Sequence, residues 1–214
     1  MTKNIYHGAQ GDGVAAIILA AGRSQRMGAF KPLLPFGATT VVDSCMEHLS
    51  AVGVQTVVVV LGHRAEELRE HLRDSGALFA VNPDPEGEMS SSIASGVRAL
   101  PQQAKAVIIA PVDQPAVPSE IVSLLLDEWK KGHRLVKPTW EGRGGHPVIV
   151  DLGFRDELLH LDPNRGLKAL FDSHTDQVKR LAVDSTYIAR DMDTWDDYAA
   201  LHREVFGVPP AALR

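Results

Sequence analysis

The chain has 214 residues, with 22 Lys plus Arg against 27 Asp plus Glu, a formal net charge of −5 and 44% apolar content, enough for one domain with a real core. A mildly acidic chain without a Lys/Arg block excludes nucleic acid and membrane surfaces as electrostatic partners, yet a local basic loop can still hold a small anion. The single cysteine, Cys45, excludes an intramolecular disulfide framework and a multi-thiolate zinc site, and the expected compartment is the reducing cytoplasm.

Residues 1–13 are polar and glycine-bearing and read as a disordered lead without signal-peptide character. From there apolar, β-rich runs alternate with stretches of helical period. The pattern predicts a strand over 14–21, a helix over 39–52, a strand over 55–61, a helix over 65–73 and a strand over 78–81. It continues with a helix over 91–100, a strand over 106–110 and a helix over 119–131 opened by Ser119 after Pro118. Short strands at 134–139 and 147–150, helices at 151–159 and 166–174, a strand at 178–183 and a helix at 194–206 complete the series, with 207–214 as a tail. The apolar runs fall short of the roughly 20 residues that span a bilayer. Strands that are continuously apolar belong to a parallel sheet covered on both faces. The expected fold is therefore a single three-layer α/β/α domain over 14–206, Rossmann-like with a mostly parallel sheet. Ligands of such sheets lie beyond the carboxyl ends of the strands, which directs attention to 22–35, 62–64, 82–92, 111–117 and 139–146.

The string Leu19-Ala20-Ala21-Gly22-Arg23-Ser24-Gln25-Arg26-Met27-Gly28-Ala29-Phe30-Lys31 carries the most information. It lacks the middle glycine of a dinucleotide fingerprint, and Gly28 is not followed by the Lys-Ser/Thr of a Walker loop. What remains is a loop whose backbone amides can face inward and whose cations Arg23, Arg26 and Lys31 can converge on a triphosphate. The alternative is two turn glycines and three solvated cations. Asp113, at the end of the strand over 106–110 and between Pro111 and Pro115, is suited to holding Mg²⁺ against phosphates, or else to closing a turn. In Asp191-Met192-Asp193-Thr194-Trp195-Asp196-Asp197-Tyr198, Asp193 or Thr194 can cap the last helix, and Asp196 and Asp197 suit its first turn. The loop from Asn82 to Gly96 offers Ser91 and Ser92 hydroxyls and early helical amides to a base or phosphate, or only a serine cap. The glycine-rich segment Gly142 to Pro147 contains His146, able to hydrogen-bond a phosphate or act near neutral pH. The remaining histidines show no metal-ligand spacing, Trp129 and Trp140 read as packing residues, and Cys45 reads as core.

Taken as an ordered string, residues 19–31 resemble the signature of the MobA-like nucleotidyltransferases, L-A-[AG]-G-x-[SG]-x-R-M-G-x-x-K, at every fixed position. Ala21, where guanylyltransferases of the superfamily usually carry Gly, is similar to the molybdenum cofactor cytidylyltransferase branch and implies CTP. The segment 82–96 resembles the family's N-P-x-W-x-x-G-M-x-x-S-[LI]-x-x-G element, with Pro85 in place of Trp and Glu88 in place of Gly. The segment 142–147 resembles G-x-x-G-H-P, and 191–198 resembles D-I-D-T-P-E-D-Y with Trp195 for Pro and Asp196 for Glu. The resemblance implies nucleotide contacts from Leu19, Ala20, Ala21, Gly22, Arg23, Ser24, Gly28, Lys31, Ser91, Ser92 and Gly96. It implies catalysis by Lys31, Arg26 and Asp113, Mg²⁺ held by Asp113 with Asp193 or Asp191, and acceptor contacts from His146, Gly145 and Gln114. The implied reaction moves CMP from CTP to a phosphate-bearing acceptor, molybdopterin, with pyrophosphate leaving and a molybdoenzyme receiving the product. Transfer to a sugar or polyol phosphate, and a non-catalytic nucleotide-binding chaperone of cofactor maturation, stand as alternatives.

Overall fold

A computed structural model of the chain describes residues 13–24, 26–84 and 88–210. The expected lead, apart from Gly13, the end of the expected tail and the Pro85 departure lie outside the described residues. The chain opens with β1 (Val14–Leu19), followed by the small hairpin β2 (Pro35–Phe36) and β3 (Thr39–Thr40). Then come α1 (Val41–Ala51), β4 (Thr56–Leu61), α2 (Ala65–His71), β5 (Leu78–Val81), α3 (Met89–Ala99), β6 (Ala106–Pro111) and α4 (Ser119–Lys130). The second half holds β7 (Leu135–Trp140), β8 (Arg143–Gly144), β9 (Val148–Asp151), α5 (Arg155–Leu159), α6 (Leu167–Ser173), β10 (Val178–Ala182) and α7 (Trp195–Phe206).

The main sheet runs β10-β7-β9-β6-β1-β4-β5, with β8 paired to β7 at the side. Its pairs are parallel except those made by β9, which lies antiparallel between β6 and β7, and the β7–β8 hairpin. Alternate side chains of β1 face opposite layers. Ala16 and Ile18 pack with residues of α1, α2, α4 and α7 such as Val41, Leu68, Leu125 and Leu201. Ala15 and Ile17 pack with residues of α3, α5 and α6 such as Ile93, Leu158 and Leu170. This is the three-layer arrangement expected from continuously apolar strands. From β1 the chain moves outward to β4 and β5, then returns through α3 to the other side of β1 as β6. The loops leaving β1 and β6 therefore diverge at a strand-order reversal, where open α/β sheets bind ligands.

Local chemistry fixes the element ends. The helix expected over 39–52 begins at Val41 because Thr39 and Thr40 are spent in the hairpin, and Thr40 with Asp43 forms a capping box. The helix expected over 151–159 is broken into a 3₁₀ turn and α5, since the Asp151 side chain accepts from the Gly153 amide and tightens the first turn. Ser119 does not cap α4: Pro118 stands at that position without a side-chain cap bond. Thr194 and Asp197 make a second capping box that starts α7, and Gly207, left-handed at φ 76°, stops it.

Candidate active site

A cleft of about 470 Å³ opens at the β1/β6 divergence. The first loop supplies Leu19, Ala20, Ala21, Gly22, Arg23, Ser24, Arg26 and Lys31; the β6 exit supplies Pro111, Val112 and Asp113; Asn82, Ser92 and Asp193 close the sides. Residues as far apart in sequence as Arg26 and Asp193 thus share one surface.

Lys31 organises the polar floor. It starts a 3₁₀ turn with Pro32 next to it, and it is only 7% exposed. Its Nζ donates to Asp193 Oδ1 at 2.9 Å and to Asp113 Oδ2 at 3.3 Å. Arg26 Nη1 donates to Asp193 Oδ2 at 2.6 Å. The two carboxylates respond differently. Burial pushes the Asp113 pKa up, with help from Asp191 and Asp193, and the pull of Lys31 only partly offsets it. Asp193 is held below the ordinary carboxylate range by its hydrogen bond from Lys31 and by Arg26. Asp113 therefore gains from any additional positive charge brought to this floor. Two hard carboxylates from separate loops, facing open space where phosphates fit, suit Mg²⁺, which takes one or two carboxylates and fills its shell with water and phosphate oxygen. Among the described residues no group of three His, Cys, Asp or Glu is placed together to hold a metal ion.

The loop geometry refines the expected phosphate cradle. Ser24 is left-handed at φ 52°, and its carbonyl accepts from the amides of both Met27 and Gly28. Gly28, left-handed at φ 63°, is required by this turn and does not line the cleft. The amides of Met27 and Gly28 are thus committed to the turn, which confines the cradle to the segment around Ala21–Ser24. A Cβ on Gly22 would meet open space, so its bareness leaves the cleft floor accessible. Gly62, which follows β4, is bare for another reason. A Cβ there would come within 2.4 Å of the Ala21 carbonyl, so glycine lets β4 press against the first loop.

Several expected contacts lie elsewhere. Gly96 is buried within α3, where a Cβ would approach Ile17 to 2.8 Å and Val60 to 3.0 Å; it allows the helix to sit close on the sheet and makes no contact with the cleft. Ser92 lines the cleft, whereas Ser91 faces a neighbouring groove and donates to the Glu88 carbonyl. The organiser of both serines is Asn82, whose Nδ2 donates to Ser91 Oγ and Ser92 Oγ, each at 2.9 Å, and which lines the cleft itself. Asn82 has no role among the residues expected from sequence; its signal there is a polar side chain directly after the edge strand β5. Gly145 is wedged against the Ile188 carbonyl, where a Cβ would approach to 2.1 Å, and the His146 amide donates to that carbonyl. Burial pushes the His146 imidazole pKa down, and its Nδ1 is buried without a hydrogen-bond partner. Gln114 is 8% exposed and turned to Asp191, away from the cleft. Gly145, His146 and Gln114 do not line the cleft, and of the two acidic candidates it is Asp193, not Asp191, that does.

Comparison with known proteins identifies the family. Residues 16–178 match the model of the MobA-like NTP transferase domain. The chain belongs to that family. Among its relatives, the molybdenum cofactor cytidylyltransferase of Escherichia coli is 24% identical over 188 residues, 86% of this chain and 93% of that protein. The nicotine blue oxidoreductase of Paenarthrobacter nicotinovorans is 31% identical over 150 residues, 66% of this chain and 72% of that protein. Among solved structures, Rv0371c of Mycobacterium tuberculosis superposes with a TM-score of 0.79 at 27% identity, covering 89% of this chain and 97% of that one. A manganese complex of that protein superposes with a TM-score of 0.75. The chain is thus a member of a nucleotidyltransferase family with a mixed, mostly parallel sheet, and no helix among its described residues is long and apolar enough to cross a membrane.

Proposed function

We propose that the protein is a Mg²⁺-dependent cytidylyltransferase that moves CMP from CTP to a phosphate-bearing small molecule, with molybdopterin the preferred acceptor, and releases pyrophosphate. The observation that carries this reading is the convergence of Lys31, Asp113 and Asp193, with Arg26, on the floor of one cleft at the strand-order reversal. Asp113 and Asp193 would hold the metal, which supplies neutralisation of triphosphate charge. Backbone around Ala21–Ser24 cradles the phosphates, and Ser92 with Asn82 faces the base. Lys31 and Arg26 stabilise the charge that grows as an acceptor phosphate oxygen attacks the α-phosphorus in line and pyrophosphate departs. Such transfers rest on positioning and electrostatics, so no covalent nucleophile is needed. Ala21 supports CTP, and the 24% identity with the cytidylyltransferase over most of both chains supports the acceptor.

Pyrophosphate release from CTP, GTP, ATP and UTP with Mg²⁺, each with molybdopterin, a sugar phosphate or a polyol phosphate, tests the reading. Release from CTP with molybdopterin is expected, and Asp113→Ala should lower it at least about a hundredfold, the usual scale for one preorganised charge. Binding of nucleotide without release would instead favour a maturation chaperone. A redox reading, brought by the similarity to the oxidoreductase, lacks the three-glycine fingerprint in the first loop. Consumption of NADH or NADPH without pyrophosphate release would favour it.

A further inference from the structure

The loop after β6 and the segment before α7 are joined in step by three contacts. The Asp113 carbonyl accepts from the Met192 amide at 3.1 Å. One residue on, Gln114 Nε2 donates to Asp191 Oδ1 at 2.7 Å. The third contact is shared, with Lys31 bridging the carboxylates of Asp113 and Asp193. Met192 is fully buried and Gln114 nearly so, whereas Asp191 is exposed apart from this bond. The amide of Gln114 cannot be reversed, because its carbonyl would then face a carboxylate oxygen at 2.7 Å. Its Oε1 is buried without a partner. The side chain therefore leaves one hydrogen bond unmade while its donor stays on Asp191, an arrangement that a mere packing residue would not require.

We propose that Gln114 is a positioning residue: its buried amide clamps Asp191, and through the intervening Met192 this holds Asp193 opposite Asp113 at the cation-binding floor. Asp191 then serves as the anchor of the segment and not as a metal ligand. The inference rests on the nucleotidyl-transfer reading for its consequence, but its geometry is independent of turnover. Gln114 takes no part in acceptor contact, being enclosed and directed away from the cleft.

A reciprocal exchange tests the clamp. Gln114→Glu sets two carboxylates against each other, and adding Asp191→Asn restores a donor–acceptor pair with the roles reversed. The readout is Mn²⁺ binding in the presence of CTP, followed by electron paramagnetic resonance, beside pyrophosphate release. Loss of a hydrogen bond to a charged group predicts Mn²⁺ binding weaker by about tenfold or more in Gln114→Glu, with the double variant returning to within about threefold of wild type on the same scale. At saturating metal the KM for the acceptor should stay unchanged. Gln114→Met, which removes the donor without adding charge, replaces Gln114→Glu if the latter melts early, and the same weakening is expected. Unchanged Mn²⁺ affinity in these variants would overturn the clamp. So would Mn²⁺ binding weakened about tenfold or more by Asp191→Asn alone, whose Oδ1 can still accept from Gln114 and which would therefore make Asp191 a ligand, or an effect confined to acceptor KM. If wild type releases no pyrophosphate while the Mn²⁺ pattern holds, the nucleotidyl-transfer reading fails and the clamp stands. If wild type turns over but the exchange does not rescue, the clamp alone falls.

Discussion

Replacing Lys31 by methionine keeps the stem of the side chain and deletes the charge shared by two carboxylates. Lys31 is 7% exposed and sits 2.9 Å from Asp193 and 3.3 Å from Asp113. At an effective dielectric of about 20, a unit pair at about 4 Å is worth on the order of 4 kcal/mol. Breaking a buried pair typically costs about 3–5 kcal/mol. The Asp193 side chain is 37% exposed, and water screens its share toward the ~1 kcal/mol of a surface pair. A net loss of about 2–3 kcal/mol in unfolding free energy at neutral pH follows, on the scale set by these limits.

The pH dependence gives the sharper test. The Asp113 pKa is raised in the folded protein, so this group burdens the fold once it ionises, and the burden disappears as pH falls through its folded pKa. Without Lys31 that burden grows. The Asp193 pKa is lowered, first by Lys31, so its contribution is present above the unfolded carboxylate pKa and fades as pH falls through the folded value. Both effects make the stability gap between wild type and Lys31→Met widest near neutrality and make it close as the pH drops through the carboxylate range. Urea unfolding of the metal-free protein at a series of pH values, followed by tryptophan fluorescence, measures the gap. A gap that is flat with pH, or a variant more stable than wild type at neutrality, would refute the electrostatic account of this floor.

Gly96→Ala should destabilise by about 1–3 kcal/mol, as overpacking does, because the new methyl meets Ile17 and Val60 at 3.0 Å or less; thermal unfolding checks this, and nucleotide affinity in the folded fraction should be unchanged. Thr194→Ala removes half of the α7 capping box and should cost about 1 kcal/mol, read by the same melt. Cys45, fully enclosed with its thiol pushed up to about 12, should resist a thiol reagent at pH 8 in the native protein and react at once in denaturant; rapid native labelling would contradict its place in the core.

The fold was legible in the sequence because every buried strand leaves an apolar signature that needs no partner to be seen. The strand at 78–81 coincides with β5, and others such as β4 and β6 differ by a residue at one end. The motif at 19–31 was legible for the same reason, since its chemistry is contiguous. Where contacts stop being local, legibility falls. The antiparallel sense of β9 depends on a neighbour far along the chain. Gly96 and Gly145 look identical in sequence to glycines that open a ligand site, yet they are bare because Ile17, Val60 and the Ile188 carbonyl press against them.

By itself, then, the sequence determined a three-layer domain with a basic first loop and acidic residues after its central and final strands, since periodicity and contiguous motifs are properties of the chain alone. Only the tertiary structure decided that Asp193 and not Asp191 reaches Lys31, that Gln114 is spent on Asp191, and that Met27 and Gly28 amides are committed to a turn. Two carboxylates so close in the chain are equivalent in composition and charge; which of them faces a lysine 162 positions away depends on how the backbone of Met192 docks against Asp113.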